Sequence, residues 1–94
     1  MKSVRIYKHG GPDVLIWEET AAPDPGPDQV IVDVKNSSLN HLDIWVRNGI
    51  PGVPLPFTPG SDAAGIISAV GENVDQNRVG ERVLIQPLIY CGNC

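Results

Sequence analysis

Residues 30–49 read VIVDVKNSSLNHLDIWVRNG, and within this one stretch the apolar period changes from two to about 3.6. Val30, Val32 and Val34 alternate with positions that include Asp33 and Lys35, the signature of a half-buried strand. From Leu39 to Asn48 the apolar residues Leu39, Leu42, Trp45 and Val46 fall instead at helical spacing. Asn40, with Asp43 three residues later, suits the N-terminal cap of that helix, and Gly49 followed by Pro51 supplies its stop. The spacing predicts a strand that hands over to a helix of about two to three turns.

Ahead of this stretch, Val4 and Ile6 flank Arg5 in a second alternating run, and Val14 to Glu18 is a third, shorter strand candidate. Lys8-His9-Gly10-Gly11-Pro12-Asp13 and Ala22-Pro23-Asp24-Pro25-Gly26-Pro27-Asp28 lie between these runs and are dense in turn-forming residues. On the other side of the helix, the four prolines of Ile50 to Gly60 disfavour regular strand or helix and predict an extended, stiff loop. Ala63 to Val70 then reads as a buried strand, Gly71-Glu72-Asn73 as a turn, and Arg82 to Ile85 as a last strand after the Gly80-Glu81 turn. Many short strands with one helix predict a mainly β, small barrel-like domain without internal repeats.

Size and charge bound what such a domain does. A chain of 94 residues buries roughly 60–68% of its unfolded surface, enough for one core, so it is too short for a complete two-domain enzyme. Ten glycines and nine prolines point to an ordered, turn-rich unit. With 7 Lys+Arg against 11 Asp+Glu the chain has no basic patch for phosphates or anionic lipid, which argues against nucleic acid and membrane partners. The charged start, Met1 to Lys8, lacks the apolar core of a secretory signal, and no apolar run reaches membrane-span length, so the expectation is a soluble, cytoplasmic protein.

Three groups of residues carry chemistry. Asn40, His41 and Asp43 sit at the predicted helix start, where unpaired N–H groups make a locally positive site for an anionic or hydride-accepting ligand; the plainer reading is a cap with two solvent-facing neighbours. Ser61 and Asp62 follow Pro59-Gly60 at the entry to the buried strand, either pointing into whatever the proline-rich loop encloses or simply forming a turn. Cys91 and Cys94 have the Cys-x-x-Cys spacing that directs two thiolates to one tetrahedral zinc, but a structural site needs four ligands, and this pair is half of one. A redox dithiol is the rival reading, and it lacks a following helix to lower a thiol pKa. No Gly-x-Gly-x-x-Gly occurs, so a nicotinamide cofactor has no dinucleotide fingerprint here.

Taken in order, His9-Gly10-Gly11-Pro12-Asp13-Val14-Leu15, Pro25-Gly26-Pro27, Leu39-Asn40-His41-Leu42-Asp43, Pro59-Gly60-Ser61-Asp62-Ala63-Ala64-Gly65, Val70-Gly71, Val79-Gly80-Glu81-Arg82-Val83 and the terminal Cys-Gly-Asn-Cys resemble the N-terminal part of the medium-chain dehydrogenase/reductases, the zinc alcohol dehydrogenases and their quinone oxidoreductase relatives. The resemblance implies a GroES-like, partly open β-barrel domain with a short helix, here incomplete. It also implies a following Rossmann domain that binds NAD(P), and a structural zinc lobe whose first two cysteines match Cys91 and Cys94. A homo-oligomeric parent with a small-molecule substrate, a quinone, enone or aldehyde/alcohol, goes with that reading.

The same resemblance places a catalytic zinc ligand at each of Asn40 and Ser61, where metal-dependent members carry Cys and His, and a Glu at Asp62. An amide and a hydroxyl are poor zinc ligands, so no catalytic zinc is expected. Leu42 stands where a Thr or Ser relays the proton, and leucine has none to pass. Without a Lewis acid beside the developing alkoxide, simple alcohols become harder substrates, whereas quinones and enones delocalise the charge themselves. The implied parent is a quinone- or enone-reducing enzyme using NAD(P)H. In it Asn40, Asp43, Ser61 and Asp62 position the substrate, and Asn40 and His41 meet the cofactor. The alternatives are a zinc-dependent alcohol dehydrogenase with a divergent metal site and a non-catalytic GroES-like assembly module, since Val79 to Val83 also resembles a strand entry of that barrel. An inactive truncated remnant is a third.

Overall fold

A computed structural model describes residues 1–89, which form two compact units woven from alternating parts of the chain. Met1–Pro23 and Leu39–Gly60 make the first; Asp24–Ser38 and the residues from Ser61 onward make the second.

The first unit is built on a two-stranded antiparallel ribbon of β1 (Lys2–Arg5) and β2 (Ile16–Glu19). Its register puts Val4 opposite Trp17 and Lys2 opposite Glu19, so apolar and oppositely charged side chains each meet a complement. Lys2 Nζ lies 3.5 Å from Glu19 Oε2, and the Ser3 and Thr20 hydroxyls are 3.0 Å apart. Two readings shift here. The strand expected over 14–18 begins only at Ile16, because Pro12 at the first position winds Pro12–Val14 into a 3₁₀ turn that turns Val14 into the core. The proline-rich segment, expected to lack strand pairing, makes one antiparallel bridge, Ile6 with Phe57, in which each N–H donates to the other's carbonyl at 2.9 and 3.0 Å. No proline occupies the paired position, so its N–H is able to donate. Ile6, fully buried, and Val14 form this unit's core.

The helix α1 (His41–Asn48) belongs to the same unit and starts right after Asn40, its extended N-cap, as the capping pattern predicts. Gly49, at φ 115°, ends it, and no residue of α1 is buried.

The second unit is an open three-stranded antiparallel sheet in the order β3 (Val30–Ser37), β4 (Ala63–Val70), β5 (Arg82–Leu84). The strand pairing of β3 with β4 shifts register between Ile31 and Val32 and again between Val34 and Asn36, the bulges that bend a strand. β4, expected to be buried throughout, is fully enclosed only at Gly65 and Ile67. Most of its other positions are half-buried, and the three-stranded sheet is open rather than closed into a barrel. β5 stops one residue short of the expected Ile85, whose N–H still reaches Ala63 O at 2.9 Å. A 3₁₀ turn, Gln76–Arg78, was not legible from periodicity: Asp75 Oδ1 caps it by accepting from Asn77 N–H at 2.9 Å. Arg78 then pairs through two nitrogens with Glu81, at 2.8 and 3.2 Å, and holds its carboxyl below the usual range.

Among the described residues, no helix is long and apolar enough to cross a membrane.

Candidate functional site

The α1 start is assembled by the helix's own capping chemistry. Asn40 and Asp43 form a capping box, in which Asp43 Oδ2 accepts from Asn40 N–H at 2.9 Å. Asp43 N–H in turn reaches the Asn40 carbonyl at 3.0 Å. An acidic residue in the first turn also offsets the positive end of the helix dipole. His41 is exposed and meets Trp45, one turn on, edge to face with ring centroids 4.8 Å apart. Leu42 offers only hydrocarbon at this start.

The opposite end of α1 is closed by a segment far away in sequence. The last carbonyls of a helix lack intrahelical partners. Here the Trp45 carbonyl accepts from Gly49 N–H at 2.9 Å, the Val46 carbonyl from His9 Nδ1 at 3.1 Å, and the Arg47 carbonyl from Gly10 N–H at 2.9 Å. Because a carbonyl only accepts, His9 carries its proton on Nδ1 in this contact. Arg47 completes the exchange by donating from Nε to the Gly10 carbonyl at 3.1 Å. Gly49 leaves room for the imidazole: a Cβ there would stand 3.2 Å from His9 Cγ. Sequence reasoning assigned His9 to a turn and Arg47 to nothing, since neither carries a local signal of the other.

Ser61 and Asp62 lie in the second unit, both half-buried. The pairing of Ser37 with Ala63 brings the residues just outside it, Ser38 and Asp62, side by side. The Ser38 hydroxyl donates to Asp62 Oδ2 at 2.8 Å. Ser38 therefore joins the candidate residues; its only sequence signal is its place at the end of the Val-rich strand. The structure thus unites Asn40 with Asp43, and Asp62 with Ser38, each within one unit. Cys91 and Cys94, the expected half zinc site, lie outside the described residues. Among the described residues, no group of three or more His, Cys, Asp or Glu side chains is arranged to hold a metal ion.

Taken singly, Asn40 in the first unit offers an amide, and Ser61 and Asp62 in the second offer a hydroxyl and a carboxylate engaged by Ser38.

Comparison with known proteins gives this geometry its context. The sequence profile of the alcohol dehydrogenase GroES-like domain matches residues 26–94. A quinone oxidoreductase of Sus scrofa is 40% identical over 86 residues, which cover 88% of this chain and 26% of that protein. The crystal structure of an NAD-dependent alcohol dehydrogenase superposes with a TM-score of 0.91 at 43% identity, covering all of this chain and 28% of the other. The Escherichia coli quinone oxidoreductase complexed with NADPH superposes at 0.82 with 36% identity, covering 89% of this chain and 26% of that one. The chain thus spans little more than a quarter of the length of these relatives. Mainly β architecture, one short helix in this position and a profile match over most of the residues agree: the chain belongs to the alcohol dehydrogenase GroES-like domain family, as the N-terminal part of a medium-chain dehydrogenase/reductase.

Proposed function

We propose that this chain is the substrate-side domain of an NAD(P)H-dependent oxidoreductase of the quinone- or enone-reducing kind, acting with a dinucleotide-binding Rossmann domain elsewhere in the parent protein. The observation that carries the reading is the donor set: where the family resemblance locates catalytic zinc ligands, this chain has Asn40, Ser61 and Asp62, with Asn40 in a capping box and Asp62 accepting from Ser38. The names of the pig and E. coli relatives support it.

NAD(P)H, when bound, supplies the hydride. The chain's own part is to orient: Asn40 and His41, exposed at the start of α1, offer an amide and an imidazole to the nicotinamide end of the cofactor. Asn40 and Asp43, with Ser61 and Asp62, position the substrate. A quinone takes up the hydride and one proton from solvent to become hydroquinone as the nicotinamide is oxidised, and its ring spreads the developing charge that a metal would otherwise neutralise. Cys91 and Cys94 are assigned two of the four thiolates of a structural zinc, not a catalytic one. The parent is read as a cytoplasmic homo-oligomer.

A zinc-dependent alcohol dehydrogenase is the second reading, favoured by the likeness of this chain to part of a cobalt- and zinc-bound thermostable alcohol dehydrogenase from Pyrobaculum aerophilum, at 33% identity and a TM-score of 0.91 over 29% of that protein. The test is metal analysis of the full-length protein followed by assays with quinone, enone and alcohol substrates. Quinone or enone reduction that survives chelation is expected; a second bound zinc together with strong alcohol oxidation overturns the proposal. Residues 1–94 alone are expected to give no NAD(P)H oxidation.

A further inference from the structure

No residue of α1 is buried, yet its N-cap and first turn carry Asn40, His41 and Asp43. Apolar packing, which normally fixes a helix on its domain, is therefore weak here. What the structure offers instead is the polar junction at the far end, where His9 and Gly10 take up the Val46 and Arg47 carbonyls and Arg47 Nε returns a hydrogen bond to Gly10. Three hydrogen bonds between two adjacent turn residues and two adjacent helix residues constrain direction as well as distance, because they are not collinear. The charge of Arg47 in the last turn also favours the negative end of the helix dipole. An eight-residue helix is about 12 Å long and stiff, so a tilt at its C-terminus is carried to its N-terminus.

We infer that His9 and Arg47 are positioning residues: their junction sets the direction of α1, and through it the placement of Asn40 and His41 against the cofactor and substrate. The inference rests on the assignment of the α1 start to the reaction. It extends that assignment to two residues that touch neither cofactor nor substrate. Misplacing a reacting group by about 1 Å costs on the order of a hundredfold in rate, so partial loss of this junction has a readable effect.

Side-chain chemistry supplies paired variants. Gln places its amide nitrogen the same number of bonds from Cα as Arg Nε, whereas Met places a methyl there. Asn likewise reproduces the donor position of His Nδ1, and Leu replaces it with a methyl. In the full-length enzyme, Arg47→Met and His9→Leu are expected to lower kcat about tenfold, with quinone KM within about twofold of the parent protein. Both should also change the primary isotope effect measured with 4-deuterated NAD(P)H, which a loss of folded protein alone leaves untouched. Arg47→Gln and His9→Asn are expected to recover kcat to within about threefold. Residual dipolar couplings of the 41–48 amides, measured against β1, provide a readout without turnover: the direction of α1 shifts in the Met and Leu variants while its helical chemical shifts persist.

Unchanged couplings in the Met and Leu variants overturn the inference, as does a Gln variant as impaired as the Met variant. If the parent enzyme transfers no hydride but the couplings shift as expected, the functional assignment fails while the orienting role of the junction stands. Should Arg47→Met not fold, the His9 pair decides by the same measures.

Discussion

At Gly65 the backbone of β3 lies where an alanine Cβ would stand, so replacing it with alanine tests the close approach of the two strands. The residue is buried in the middle of β4, opposite Val34 on one side and Val83 on the other, beside the register shift between Val34 and Asn36. A Cβ at Gly65 would stand 2.1 Å from the Asp33 carbonyl oxygen and 3.0 Å from Val32 Cγ1. Comfortable carbon–oxygen approaches begin at about 3.3 Å, so β3 must retreat by about 1.2 Å. That displacement stretches ladder bonds of about 2.9 Å beyond bonding distance. Loss of one or two such bonds costs roughly 0.5–1.5 kcal/mol each, and residual overpacking adds about 1–3 kcal/mol. Gly65→Ala should therefore destabilise by about 1.5–6 kcal/mol, a large share of the usual 5–15 kcal/mol of a folded domain.

Gly52 is the control. It has φ 87°, and no neighbouring atom lies within 4 Å of the place an added methyl would take, so Gly52→Ala carries only the left-handed penalty of roughly 1–2 kcal/mol. Urea unfolding of both variants, followed by far-ultraviolet circular dichroism, should show the Gly65→Ala midpoint lowered by about 1 M or more, with Gly52→Ala affected less. A Gly65→Ala variant losing under about 1 kcal/mol, or losing less than Gly52→Ala, refutes the close-approach argument.

Ile67→Ala removes the largest enclosed side chain of the second unit and should cost about 2–5 kcal/mol in the same unfolding assay. Asn40→Ala removes the cap of α1 and should cost about 0.5–2 kcal/mol, with Asn40→Asp retaining most of it by the same measure. Tyr7 donates its hydroxyl to Glu18, whose hydrogen bond and negative charge raise the phenol above its ordinary 10.0. Because the folded value is the higher one, any stability from this pairing is complete below the ordinary value and fades as pH rises through the raised one. Difference titration at 295 nm against Tyr7→Phe should find Tyr7 ionising above its ordinary value, and Glu18→Gln should bring it down.

Local chemistry made much of this fold legible. The change of period between Val34 and Leu39 marked β3 and α1, and Asn40 with Asp43 marked the cap, because periodicity and capping depend on residues within one turn of each other. Short 3₁₀ turns escaped it: Gln76–Arg78 holds together through Asp75 and Asn77, with no apolar rhythm to announce it. The candidate site divided the same way. Asn40, Asp43, Ser61 and Asp62 stood out by residue type and by their places at a predicted helix start and strand entry, which near neighbours alone define. Ser38 as the partner of Asp62 depended on the register of β3 against β4, and that register belongs to the sheet.

Side-chain type and near-neighbour spacing were enough to set the elements, their order and the donor chemistry of the candidate residues. What His9-Gly10 and Arg47 are for emerged only once the chain was folded. Their contact closes across 37 residues; His9 Nδ1 and Arg47 Nε donate two of its three hydrogen bonds, and every acceptor is a main-chain carbonyl, a group that all residues carry, so nothing in the local sequence marks where those donors end up.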